Sequence, residues 1–292
     1  MKVIDCHAHF EPRLLDAAAA VRKMDEVGVD QVVLIPSMNG IFESSPEALL
    51  TVMREAMRRP LTRPLAEAVH RATLTRGGDV RVGRQVVPIY PMPDNGAVAA
   101  VLRAHPGRFL GWIFLNPKAD PAPLETLERW RAVPGFVGVK LHPHWHDYQT
   151  ELLDPIFARC QELRLPVLIH FGFGKRGDFR TLAERFPRVT MISAHAGFPF
   201  FDDLWALKDA YPNLHVDLSS PYLDEALVRD CVAAMGPERC LYGTDAPYGF
   251  EDASETYDYG EIKGWVERLP VSTGERERIF GHNFAAILDR AR

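Results

Sequence analysis

Five residues of this chain combine types and spacings that suit metal chemistry. His7 and His9 are two apart in an apolar, strand-like run, which in extended backbone puts both imidazoles on one face. His170, His195 and Asp245 each end a later short apolar run. Neutral imidazoles with one carboxylate form a nitrogen and oxygen ligand set suited to zinc, with manganese as a second candidate, and an open coordination position holds water. The expected centre is one divalent ion held by His7, His9, His170 and Asp245. Such an ion lowers the pKa of its water from 15.7 to roughly 7–9, so hydroxide is available at neutral pH. His195 is then free to orient or deprotonate that water, or to protonate a leaving group.

Residues so far apart in sequence need a scaffold that gathers strand ends. Eight apolar runs read as strands: Val3 to Cys6, Gln31 to Pro36, Phe109 to Leu115, Val137 to His142, Pro166 to His170, Val189 to His195, Leu214 to Leu218 and Cys240 to Asp245. Helix-like stretches separate them, and in one, Leu153, Ile156, Phe157, Cys160 and Leu163 form a single stripe. Continuously apolar strands alternating with helices specify a covered parallel sheet, and eight units close a (β/α)8 TIM barrel whose active site lies at the strands' C-terminal ends. One domain over 1–292 is the simplest organisation. Residues 38–87 interrupt the alternation and read as a helical insertion on the upper rim, a candidate lid, with a short strand over Gln85 to Pro91. Thr273 to Ala291 reads as an extra C-terminal helix with Thr273 as N-cap.

On these residues the chain resembles the amidohydrolase superfamily. Gly138-Val139-Lys140-Leu141-His142-Pro143, Ala194-His195-Ala196-Gly197, Gly243-Thr244-Asp245-Ala246-Pro247 and Gly281-His282-Asn283-Phe284-Ala285 resemble its amidohydrolase-2 group, which includes aminocarboxymuconate semialdehyde decarboxylase. The resemblance implies the barrel, a catalytic divalent ion on His7, His9, His170 and Asp245, and catalytic roles for His195 and Asp245, the latter as ligand and base together in hydrolases. Lys140 stands on strand four, where the resemblance places the lysine that two-metal members carboxylate to bridge their ions. A mononuclear centre is favoured here, with Lys140 and His142 as candidates for a second metal or for the substrate.

Around the site, His144, Trp145, Tyr148, Phe171 and Arg176 are candidate substrate-binding residues, and Lys175 is a second cation on the same loop as Arg176. Arg13, Arg176 and Arg180 are available as a clamp for a second carboxylate. His70, His105 and His215 read as structural or surface residues, and His282 as helix packing. The function expected first is metal-dependent hydrolysis of an amide, lactone or ester bond in a small carboxylated substrate. The alternative is nonoxidative decarboxylation of an aromatic or muconate-like acid, and a barrel without catalysis is a third.

Composition narrows the remaining classes. The 292 residues are 47% hydrophobic, enough for a large core, and 34 Lys and Arg against 39 Asp and Glu leave a charge of −5 without a basic run, so no nucleic-acid partner is expected. Apolar runs fall far short of the roughly 20 residues that span a bilayer, so no membrane association is expected. Met1 to Asp5 lacks the pattern of a secretory signal, and four scattered cysteines suggest no disulfide framework, which points to the cytoplasm. The expected partner is a small-molecule substrate, with a homodimer as the candidate assembly. The Walker spacing and Gly-x-Ser-x-Gly are both absent.

Overall fold

The computed structural model describes residues 2–41, 47–253 and 255–291. The chain begins β1 (Ile4–Phe10), α1 (Ala17–Val27), β2 (Gln31–Pro36), then passes through α2 (Glu47–Arg58), α3 (Arg63–Thr73) and a hairpin of β3 (Val80–Val82) and β4 (Gln85–Val87). Regular alternation resumes with α4 (Asn95–Ala104), β5 (Phe109–Phe114), α5 (Pro123–Arg131), β6 (Phe136–Leu141), α6 (Pro143–His146), α7 (Asp154–Leu163), β7 (Val167–Ile169) and α8 (Phe179–Arg185). It continues through β8 (Met191–Ser193), α9 (Asp202–Trp205), β9 (Leu214–Asp217), α10 (Glu225–Met235), β10 (Cys240–Leu241) and α11 (Gly260–Glu267), and ends in α12 (Thr273–Glu277) and α13 (Asn283–Ala291).

Eight strands pair in parallel in the order β1-β2-β5-β6-β7-β8-β9-β10. The first and last meet through Cys6 N–H to the Tyr242 carbonyl (3.0 Å) and Asp245 N–H to the His7 carbonyl (2.7 Å), which closes a TIM barrel. Alternate strand residues divide into two apolar clusters. Cys6, Val33, Trp112, Leu168 and Ile192 fill the barrel, floored by Phe284 and Ile287 of α13, while Val32, Ile113, Val167 and Met191 pack outward under the helices. The eight expected strands are all present: the first runs on to Phe10, the second keeps its expected bounds, and the other six end earlier than expected. His170, His195 and Asp245 lie just beyond the ladders, and His195 and Asp245 have φ of 56° and 64°, incompatible with extended strand.

One irregularity in β1 decides where its histidines point. Asp5 pairs with Val32 but Ala8 pairs with Leu34, so β1 carries one extra residue, a bulge. Without it, strict alternation from Ile4 and Cys6 would send Ala8 inward. With it, Ala8 joins the outer core and His9 pairs with Ile35 on the inner side.

The segment between β2 and α4 is helical as expected, with a hairpin added where one strand was anticipated; its residues 42–46 lie outside those described. It is pinned to the barrel by arginines: Arg54 to the Leu223 carbonyl (3.2 Å) and Asp224 (3.1 Å), Arg58 to Asp202 (3.1 Å) and Asp230 (2.9 Å), and Arg63 to Asp203 (2.6 Å). The N-cap of the C-terminal helical segment is Ser272, one residue before the expected Thr273, because Glu275 then stands at the third helical position and completes a capping box. The late Gly281-His282-Asn283 motif serves structure. A Cβ on Gly281 would fall 2.0 Å from the Lys2 carbonyl oxygen, and Asn283 donates to the Pro237 (2.7 Å) and Cys240 (2.9 Å) carbonyls. No helix among the described residues is long and apolar enough to cross a membrane.

Candidate metal centre and active site

The end of β1 and the turn after β10 bring three donor atoms together. His7 Nε2 lies 3.5 Å, and His9 Nε2 3.3 Å, from Asp245 Oδ1. The three residues offer donor atoms that all lie within 4.8 Å of one another. Two donors each ~2.0–2.1 Å from one ion in tetrahedral geometry stand about 3.3–3.4 Å apart. The donor set and its spacing therefore fit a divalent ion.

A buried network holds these donors. Asp5 accepts from the His7 N–H (3.0 Å), the Thr244 N–H (3.1 Å) and the Thr244 hydroxyl (2.5 Å), joining the first strand to the last beside the site. Asp217, at the end of β9, lies 2.8 Å from His7 Nδ1 and accepts from the His195 N–H (3.0 Å) and from Ser219 through its N–H (3.1 Å) and hydroxyl (2.6 Å). Burial alone would raise the Asp217 pKa, but His7 and these donors hold it well below the carboxylate range. An ionised Asp217 fixes the His7 proton on Nδ1 and leaves Nε2 free as a ligand. Neither Asp217 nor Ser219 was anticipated as functional, although strand-end position, the signal used elsewhere, applies to both.

His195 is held by its backbone and by its Nδ1, which lies 2.9 Å from the Ser219 hydroxyl and 3.1 Å from its carbonyl. With the proton on Nδ1, Nε2 is left as an acceptor. Burial pushes the His195 pKa down to about 4, so the imidazole is neutral near pH 7. Burial likewise lowers His7 and His9, while neighbouring histidines hold the Asp245 carboxyl well below its usual range despite its burial. Neutral imidazoles beside an ionised carboxylate are the forms that ligate a metal.

His170 lines the same cavity but stands outside the tight donor group. Its ring lies 4.5 Å from that of His195, and its buried Nε2 has no hydrogen-bond partner among the described residues. Lys140 is fully buried with Nζ 3.4 Å from His7 Nε2, and burial pushes its pKa down to about 8. His142 faces the cavity while its Nδ1 accepts the Trp145 N–H (3.2 Å), capping α6.

Above these groups is a cavity of about 120 Å³ with walls including Trp145, Tyr222, Tyr248, Met38 and Leu50. Trp145 thus lies where expected, whereas the other candidate substrate-binding residues do not line it. His144 is buried between the rings of His70 (4.0 Å) and His170 (4.9 Å). Tyr148 is buried with its hydroxyl accepting the His142 N–H (3.1 Å), and Phe171 is in the outer core. Arg176 is spent on the His144 carbonyl (3.4 Å) and Asp147 (3.1 Å), because α6 folds back over its loop. The other expected cations are also elsewhere. Arg13 forks onto Glu11 (2.7 and 2.5 Å), and Lys175 and Arg180 line a separate outer cleft.

The amidohydrolase family model matches residues 4–290, nearly the whole chain. The chain belongs to the amidohydrolase family. As a member of this metal-dependent family it is an enzyme, and His7, His9 and Asp245 form a group that could hold a metal ion. Solved structures share the fold at low identity. A 2,6-dihydroxybenzoate decarboxylase from Rhizobium is 16% identical, TM-score 0.61, over 99% of each chain. A candidate 2-pyrone-4,6-dicarboxylic acid hydrolase from Pseudomonas putida is 18% identical, TM-score 0.62, over 99% of this amidohydrolase and 98% of that chain. A dihydroxybenzoic acid decarboxylase from Polaromonas, with bound manganese and 2-nitroresorcinol, is 18% identical, TM-score 0.60, over 100% and 98%.

Proposed function

We propose that this amidohydrolase cleaves a C–N or C–O bond at the carbonyl of a small ring amide, lactone or ester, using one divalent ion, zinc or manganese, on His7, His9 and Asp245 with His170 completing the set. The observation carrying this reading is the convergence of His7 Nε2, His9 Nε2 and Asp245 Oδ1 in a buried, partly apolar cavity. An ion held there supplies Lewis acidity toward a carbonyl or carboxylate oxygen and activates water. The protein's share is proton handling. Asp245, ionised, accepts a proton from the attacking water, and His195 Nε2, oriented by Ser219, accepts or returns one at the leaving group. Asp217 keeps His7 in the ligating tautomer and anchors the His195 backbone.

Nonoxidative decarboxylation of a ring acid is the second reading. The aromatic walls, the cavity's single-ring size and the decarboxylases among its fold relatives favour it. The same donors would then orient a carboxylate, and the proton would go to the carbon that loses carbon dioxide. Incubating the metal-loaded enzyme with lactones, amides and aromatic acids, scored by product mass, separates the two. Gain of one water supports hydrolysis, loss of carbon dioxide supports decarboxylation, and no turnover across the panel counts against both.

A further inference from the structure

The cavity joins aromatic and aliphatic walls, Trp145, Tyr222, Tyr248, Met38 and Leu50, to a neutral polar side formed by Asn39 and the imidazoles beside the donor group. Its volume, about 120 Å³, is close to the ~150 Å³ of an apolar cavity that accepts one benzene ring. The charges on its surface are the carboxylates of Asp245 and Glu251; among the described residues no lysine or arginine lines it. Residues 42–46, next to the lining in sequence, contain no lysine or arginine. Arg54, the arginine nearest in sequence to Leu50 on α2, is turned to the Leu223 carbonyl and Asp224. Arg13, beside the lining residue Leu14 in sequence, is forked onto Glu11 (2.7 and 2.5 Å), and Lys140 is fully buried against His7, on the side of the metal donors.

We infer that the substrate carries a single reacting carbonyl or carboxylate, directed at His7, His9 and Asp245, and that the rest of it is an uncharged ring: the cavity rejects a second anionic group. This rests on the proposed reading of the donor group as the reacting end. A second carboxylate would leave water for a wall without a cationic partner and with Glu251 at its edge, an arrangement that disfavours burying charge. The expected discrimination is about 100-fold or more in affinity, since a site that leaves a buried charge unpaired discriminates far more strongly than one that misfits a methylene.

The test is calorimetric titration of the full-length, manganese-loaded protein with three probes: 2-hydroxybenzoate, its 5-carboxylate and its 5-carboxamide. The carboxamide matches the second carboxylate in size but carries no charge. The inference expects the carboxamide to bind within about tenfold of the parent and the dicarboxylate at least about 100-fold more weakly. Glu251→Arg is expected to recover tenfold or more of the dicarboxylate affinity. Equal binding of dicarboxylate and carboxamide overturns the inference, as does equal loss of both, which would mean exclusion by size. Binding of none of the three to manganese-loaded protein also overturns it. Manganese titration of wild type and His9→Ala comes first. If manganese binding is unaffected by His9→Ala, the proposed centre fails, and the same affinity ratios on metal-free protein still decide the inference.

Discussion

His7 Nδ1 and Asp217 Oδ2 lie 2.8 Å apart, both side chains fully shielded from solvent, across 210 residues of sequence. The pair converts a strand-end imidazole into a ligand of fixed tautomer. Partners of this kind typically contribute 10–100-fold to metal affinity. Asp217→Asn should therefore weaken binding of zinc or manganese by about that factor, measured by chelator competition, with the far-ultraviolet circular dichroism retained. Unchanged affinity would remove the orienting role.

His195 is expected to act on protons and not to hold the ion. His195→Gln should lower kcat by roughly 10²–10⁴-fold, the usual range for a positioned acid or base, while bound metal measured by elemental analysis stays at the wild-type level. Loss of metal together with activity would reassign His195 as a ligand.

Removing the ion should cost both activity and stability. Dialysis against a chelator is expected to abolish turnover and lower the melting temperature, with both restored by the metal. An ion present at 100 times its Kd stabilises by about 2.7 kcal/mol. Asp245→Ala should show the depleted melting temperature whether or not metal is added.

Arg54 ties α2, which carries the cavity residue Leu50, to the 222–224 loop, which carries Tyr222. Replacing it by Ala leaves buried carbonyls without their donor, a loss of about 1–3 kcal/mol by denaturant titration. KM should rise more than kcat falls, since both joined segments bear walls of the cavity and neither bears a donor atom. An unchanged KM would show that the insertion does not shape the cavity.

Burial pushes His70, His146 and His215 each down to about 4 from 6.5. Between those values the unfolded chain binds protons that the folded one does not, so stability rises with pH across that window. Their contribution is complete above about pH 6.5 and is lost as pH falls toward 4, at up to about 1.4 kcal/mol per pH unit for each group. His215, on β9 away from the donor group, is the cleanest test. Urea titrations at pH 5 and 7.5 should show a smaller difference for His215→Gln than for wild type, and an equal difference would count against the shift.

Much of this was legible in the chain because the signals are local. Strand-length apolar runs such as Gln31–Pro36 coincide with the ladder, and the polar residues ending them, His7, His9, His170, His195 and Asp245, converge at one end of the barrel because parallel strands share a direction. Periodicity could not reveal what depends on atoms meeting across the barrel. The extra residue in β1 that restores His9 to the inner face is visible only in the register with β2. Arg176 looked like a substrate clamp until the fold placed Asp147 and the His144 carbonyl within its reach, and Asp217 looked like one more strand end until closure set it against His7. Residue type and order determined that a metal-dependent barrel was encoded. Tertiary structure decided which donors meet, which cations are already paired and how the cavity is walled, because distances of a few ångströms between residues far apart in the chain are properties of closure and packing.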